Sequence, residues 1–157
     1  MLADRAETAP GGGGATPWLP DLSGVHVLVI EDDESSRDIL ADVLRFAGAR
    51  VSACPDAYAG LKTLEEFRPD VIVCDLALPG MDGLSFLYAL RAHHDSDMRH
   101  TPMLAVTGYD EIYRPEEFLR LGCEGYMMKP LSLERVCAAV QKLGRLTGER
   151  RCSSRSS

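Results

Sequence analysis

The stretch Val71-Ile-Val-Cys-Asp-Leu-Ala-Leu-Pro-Gly-Met-Asp-Gly83 decides how the rest of the chain is read. It opens with an apolar run, Val71 to Cys74, rich in β-branched residues, which predicts a strand buried on both faces. The run stops at Asp75, shortly before the turn residues Pro79 and Gly80. Asp75 therefore belongs at a strand's C-terminal end. In an open parallel α/β sheet that edge is where ligands bind, because the connections diverge there and leave a crevice. A carboxylate at this place points to function.

Working outward, Val25 to Ile30 reads as another strand, ending in the acidic cluster Glu31, Asp32, Asp33 and Glu34. Ile39, Leu40, Val43, Leu44 and Ala47 then recur at helical spacing, with Gly48 as a stop. Arg50 to Cys54 is a short second strand. Asp56 caps a helix carrying Ala57, Leu61, Leu64 and Phe67, which ends before Pro69. Beyond Asp75, Asp82 caps a third helix with Leu84, Leu87, Tyr88 and Leu90, and the polar stretch His93 to His100 reads as a loop. Pro102 to Val106 is a fourth strand, ending at Thr107. A weakly apolar helical segment follows around Glu111 to Leu121, a pattern of a mobile or partner-facing helix. Gly125 to Met128 is a fifth strand ending at Lys129, and Leu133, Val136, Cys137, Val140 and Leu143 give the last helix its buried side. Five strands alternating with five helices predict an α/β fold: a doubly wound, five-stranded parallel sheet of the flavodoxin-like type, strand order 2-1-3-4-5.

Length and composition bound the rest. At 157 residues and 45% hydrophobic the chain is one domain with a sizeable core. Residues 1–22, with Gly11 to Gly14 in a row, read as a flexible leader, 23–146 as the domain, and 147–157 as a disordered Arg/Ser-rich tail. A net charge of -7 argues against direct nucleic-acid binding and suits a cation site. The five cysteines form no C-x-x-C pair, which favours reduced, buried thiols. With no signal peptide and no membrane-length apolar run, the reading is a cytoplasmic protein away from membranes. His93, His94 and His100 lie away from the acidic edge and read as loop residues.

The polar strand ends agree with one another. Glu31 and Asp32, Asp75, Thr107 and Lys129 come from four different strands and reach one edge if all strands are parallel. Three carboxylates in one place repel unless a hard cation lies between them, and Mg²⁺, which takes oxygen ligands and keeps several waters, fits that need. An ionised Asp75 beside a metal and Lys129 is suited to attack phosphorus and form an aspartyl phosphate, with Thr107 donating to a phosphoryl oxygen.

Taken together, Val27-Leu-Val-Ile-Glu-Asp-Asp33, Pro69 to Asp75, Leu78-Pro-Gly-Met-Asp-Gly83, Val106-Thr-Gly108 and Gly125-Tyr-Met-Met-Lys-Pro130 resemble the receiver domain of two-component response regulators. The resemblance runs from about Val25 to Leu146. It implies Asp75 as phosphoacceptor, and as metal ligands Asp75, Asp32, the Ala77 carbonyl and Glu31, the last often through water. It also implies Thr107 as the phosphoryl-sensing hydroxyl, Lys129 as the phosphoryl-binding lysine and Tyr126 as the switch aromatic. The implied donor is a histidine kinase or histidine phosphotransfer protein. The output is a downstream effector bound by the face of the fourth helix, fifth strand and fifth helix, with the domain a monomer or a phosphorylation-dependent dimer. Such a domain is not an enzyme beyond its own phosphorylation and slow dephosphorylation. Ala77 and Tyr109 occupy lifetime-tuning positions and offer no carboxylate or amide to orient water, so slow self-hydrolysis is expected.

Two rival readings differ in class. An aspartate-nucleophile phosphatase needs an acid two residues after the nucleophile, where this chain has Ala77. A receiver-like module that docks without phosphorylation usually lacks an acidic residue or the lysine, and here both are present. No output domain follows in sequence, which suits a stand-alone regulator or a receiver piece of a larger protein such as a hybrid kinase.

Overall fold

A computed structural model of the chain describes residues 18–108 and 115–156. The elements run β1 (His26–Ile30), α1 (Glu34–Phe46), β2 (Arg50–Cys54), α2 (Ala57–Phe67), β3 (Val71–Asp75), α3 (Gly83–Arg91), α4 (Ser96–Arg99), β4 (Met103–Thr107), α5 (Pro115–Arg120), β5 (Gly125–Met128) and α6 (Leu133–Ser156). All strand pairs are parallel, in the order β2-β1-β3-β4-β5 expected from the alternation.

The central strands β1, β3 and β4 are buried throughout, as their continuous apolar runs require. Alternation along each strand feeds two half-cores. Leu28, Ile30, Ile72, Cys74, Met103 and Ala105 pack with residues of α2, α3 and α5 on one face. Val27, Val29, Val71, Val73, Leu104 and Val106 pack with residues of α1 and α6 on the other. Each fully buried Leu or Ile in these layers contributes roughly 1.5–3 kcal/mol. Cys54, Cys74, Cys123 and Cys137 are buried free thiols, and Cys152 is exposed.

Three expectations are corrected. The described residues hold six helices, not five, because the stretch read as a loop contains the single turn α4. Asp95 caps that turn by accepting from the Met98 amide at 3.1 Å, and Met98 is buried. The ordered part begins before residue 23: Leu22 is fully buried, its amide donates to the Ala47 carbonyl at 2.8 Å, and Leu19 packs against the α1/α6 half-core. The remainder of the leader, residues 1–17, lies outside the described residues.

The third correction is the tail, where α6 continues to Ser156 in place of the disorder expected for 147–157. Its last turns are anchored by polar contacts. Thr147 Oγ1 donates to the Asp70 carbonyl at 2.6 Å, and Arg151 reaches the Asp70 carboxylate at 2.6 Å. Arg150 and Arg151 both pair with Asp97. These partners lie far back in the chain, so a local reading of an Arg/Ser-rich segment could not see them. No described helix is long and apolar enough to cross a membrane.

Candidate functional site

Strand register lines up the polar ends. Ile30 pairs with Cys74, so the residues that follow, Glu31 and Asp75, are neighbours. Asp75 pairs with Val106, and Thr107 pairs with Met128, immediately before Lys129. Glu31 and Asp75 continue the alternation of Val27 and Val29 and of Val71 and Val73, and Lys129 follows Met127, which puts all three on the α1/α6 face.

There the side chains meet. Lys129 Nζ donates to Glu31 Oε1 and to Asp75 Oδ2, each at 3.0 Å. The second oxygen of each carboxylate is also held: the Asp33 amide donates to Glu31 Oε2 and the Ala77 amide to Asp75 Oδ1, both at 3.1 Å. Glu31 and Asp75 are 5% and 6% exposed, whereas Asp32 faces solvent.

The charges are unequal. Burial pushes the Glu31 carboxyl above its ordinary value; the Asp33 amide and Lys129 oppose the shift and the Asp75 charge adds to it. Burial alone would lower Lys129, but the Asp75 and Glu31 carboxylates outweigh it and hold the ammonium charged, above its usual value. Burial thus decides the direction for Glu31, and the two carboxylates decide it for Lys129. With Asp32 included, three carboxylates face a single ammonium.

Glu31, Asp32 and Asp75 each offer one oxygen, all within 4.8 Å of one another. An all-oxygen, net-negative set with one open member could hold a hard cation that keeps several waters, and Mg²⁺ fits that description.

Two caps fix the connections on either side. Asp33 accepts from the Ser36 amide at 2.9 Å and starts α1. Asp82 accepts from the Ser85 amide at 2.9 Å and starts α3, whose first residue is Gly83. The Gly83 amide donates to the Leu76 carbonyl at 3.0 Å, and a Cβ there would stand 2.7 Å from Leu76 Cα and 2.9 Å from the Asp75 carbonyl oxygen. Only glycine lets the start of α3 come so close to the end of β3.

Residues 27–141 match the family model of the response regulator receiver domain. The chain belongs to this family. Known proteins are similar to it over most of its length. It is 32% identical over 123 residues to the response regulator MprA of Mycobacterium sp. (strain KMS), covering 78% of this chain and 52% of that one. It is 31% identical over 131 residues to the sensor histidine kinase AruS of Pseudomonas aeruginosa, covering 83% of this chain and 13% of the kinase. The chain thus spans about half of the regulator and a small part of the kinase. Among solved structures, a Francisella response regulator receiver domain superposes with a TM-score of 0.71 at 27% identity, covering 79% of this chain and 99% of that one. The chemotaxis response regulator CheY4 of Vibrio cholerae gives 0.68 at 28% identity, covering 76% and 98%.

In this receiver domain two of the other residues singled out from the sequence, Thr107 and Ala77, lie at the acidic edge. Thr107 is the last residue of β4, 2% exposed, and its carbonyl accepts from the Lys129 amide at 2.7 Å. It continues the alternation of Met103 and Ala105, so it belongs to the α2/α3/α5 face. Half-buried Tyr126 packs on that same face, its ring 5.8 Å from that of the fully buried Phe118. Ala77 is exposed, one residue into the connection after Leu76. Tyr109 lies outside the described residues. His93, expected in a loop, pairs with Glu65 at 3.0 Å.

One contributor escaped the sequence reading. Arg37 of α1 donates from Nη1 to the Glu31 carbonyl at 2.9 Å and lies 3.5 Å from the Asp32 carbonyl. An arginine on a polar helix face reads as a solvated charge, and only its spacing of six residues from Glu31 hinted otherwise.

Proposed function

We propose that this receiver domain accepts a phosphoryl group on Asp75 from a phosphohistidine of a histidine kinase or histidine phosphotransfer protein. The observation that carries the reading is the Asp75 carboxylate, held at one oxygen by Lys129 and at the other by the Ala77 amide, within one carboxylate set with Glu31 and Asp32. An oxygen of Asp75 attacks phosphorus, the P–N bond breaks, and the imidazole nitrogen leaves with the electron pair and takes up a proton. The acyl phosphate stays on the domain.

Glu31, Asp32, Asp75 and the Ala77 carbonyl would hold Mg²⁺, which when bound offsets charge on the phosphoryl oxygens. Lys129 supplies the second positive charge and Thr107 a hydroxyl donor. Beside the acidic edge, Ile39, Leu40, Pro130, Leu131 and Leu133 line a cleft of about 270 Å³, an apolar surface next to Asp75 for the donor. Thr107 and Tyr126 share one face, so a pull on the Thr107 hydroxyl alters the packing of the tyrosine and with it the α5-β5-α6 surface. Leu119, Met128 and Leu146 are exposed on these elements, as an effector-binding surface requires.

Intact mass after incubation with acetyl phosphate or phosphoramidate and Mg²⁺ tests this, beside Asp75→Asn. One phosphoryl adduct in the parent and none in the variant is expected. No adduct in either, together with no response to beryllofluoride, overturns it in favour of a module that docks without phosphorylation.

A further inference from the structure

Arg37 stands at a break in the backbone's own bonding. The Glu31 amide still donates to the Cys54 carbonyl at 3.0 Å, but the Glu31 carbonyl lies past the last β1–β3 pair, Ile30 and Cys74. Arg37 Nη1 takes it at 2.9 Å. The same nitrogen lies 3.5 Å from the Asp32 carbonyl, so one guanidinium end faces two successive peptide groups. These are the peptides on either side of the Asp32 Cα. Arg37 is itself fixed to this turn, its amide donating to the Asp33 carbonyl at 2.9 Å.

The two acidic residues differ in what orients them. Glu31 is held through its side chain by Lys129 and by the Asp33 amide. Asp32 is exposed, and among the described residues its carboxylate has no hydrogen-bond partner, so the backbone, by setting its Cα position and Cα–Cβ direction, is what keeps the carboxylate within reach of the set. Rotation of either flanking peptide would swing that carboxylate away from Glu31 and Asp75. Arg37 restrains that rotation.

We propose that Arg37 is a positioning residue for the cation site, acting through the Glu31 and Asp32 carbonyls to keep the Asp32 carboxylate in the set; this rests on the phosphoacceptor reading above. The sign of its effect separates positioning from charge. A guanidinium repels a nearby cation, so if Arg37 acted through charge alone, its removal would tighten Mg²⁺ binding. If it acts by holding the two peptides, removal loosens binding.

The test is calorimetric titration of Mg²⁺ alone into the full chain, parent beside Arg37→Met and Arg37→Lys, with the amide spectrum of each metal-free protein as a check on folding. The expected result is about tenfold weaker binding for Arg37→Met, at the low end for residues that orient metal ligands. Arg37→Lys, with the charge kept and the fork lost, should fall between. Equal or tighter binding by Arg37→Met overturns the proposal. Should that variant fold poorly, Arg37→Lys decides alone, and parent-like affinity overturns it. A parent that neither binds Mg²⁺ nor takes a phosphoryl adduct brings down the phosphoacceptor reading itself, whereas failure of the arginine variants with a competent parent removes only the role of Arg37.

Discussion

Arg151 grips Asp97 with two parallel hydrogen bonds, Nε to Oδ1 at 3.0 Å and Nη2 to Oδ2 at 3.1 Å. The paired geometry ties the final turns of α6 to α4, and the same guanidinium reaches Asp70 just ahead of β3 at 2.6 Å. Arg151→Met should therefore lower stability by about 1–2 kcal/mol, discounted for partial exposure, and release the amides of the last helical turns to hydrogen exchange. Urea melts and exchange rates check this; tail amides already unprotected in the parent would contradict it.

The acid response of this cluster follows from its carboxylates. Hydrogen bonds from Arg68 hold Asp95 at about 2, below its ordinary 3.8. Burial works to raise Asp97, but Arg151 and Arg150 prevail and lower it. Carboxyls depressed in the folded state contribute stability that is present above the unfolded value and lost as pH falls through the folded one. Protection of the α6 C-terminus, which rests on Asp97, should thus be kept above the ordinary carboxylate value of 3.8 and be lost only as pH falls below it. Loss already at pH ~5 would disagree.

His26 responds in the opposite sense. It is 5% exposed, its Nε2 lies 2.8 Å from Ser52 Oγ, and its buried Nδ1 has no partner among the described residues. Burial, with Arg50 adding and Asp70 opposing, lowers its value below 6.5. Protonation would bury an unpaired N–H. The unfolded chain then takes the proton first, so stability declines as pH falls from the unfolded value toward the folded one. An NMR titration should place His26 below 6.5, and His26→Gln should flatten the stability profile between pH ~7 and ~5. A titration midpoint above 6.5 would reverse the sign.

Gly83→Ala forces a methyl against backbone at 2.7 Å and 2.9 Å. Backbone cannot yield as a flexible side chain would, so the variant should lose about 1–3 kcal/mol and shift the Asp75 and Leu76 amide resonances. A parent-like melt with unshifted resonances would show that α3 can retreat freely.

Mg²⁺ should stabilise the fold through the acidic set. At a concentration tenfold above its dissociation constant the gain is about 1.4 kcal/mol. Ca²⁺, also an oxygen-seeking ion, should substitute in part, and Asp32→Asn should shrink the gain for both. Thermal melts with and without the ions measure it; an equal gain in Asp32→Asn would place the ion elsewhere.

The sheet was legible from sequence because β1, β3 and β4 are continuous apolar runs that end in polar residues. That punctuation also marked Glu31, Asp75 and Thr107 before any geometry was known, and the end of β5 marked Lys129. The tail was misread for the converse reason: Arg150 and Arg151 find Asp97 at separations of 53 and 54 residues, and Arg151 finds Asp70 at 81, distances over which composition carries no signal. The single turn α4 was missed because four residues are too short to display a period. Arg37 was missed because its partners are backbone carbonyls, which sequence does not display.

The 24 residues of α6 form a rod of roughly 36 Å. It begins just past Lys129 and Pro130, beside the acidic edge, and is riveted at its far end to Asp70 and Asp97. Between those two ends Val136, Cys137, Val140 and Leu143 set its inner side against the sheet. One helix thus bridges the two edges of the sheet, with the Arg151 contacts bracing the end opposite the acidic edge.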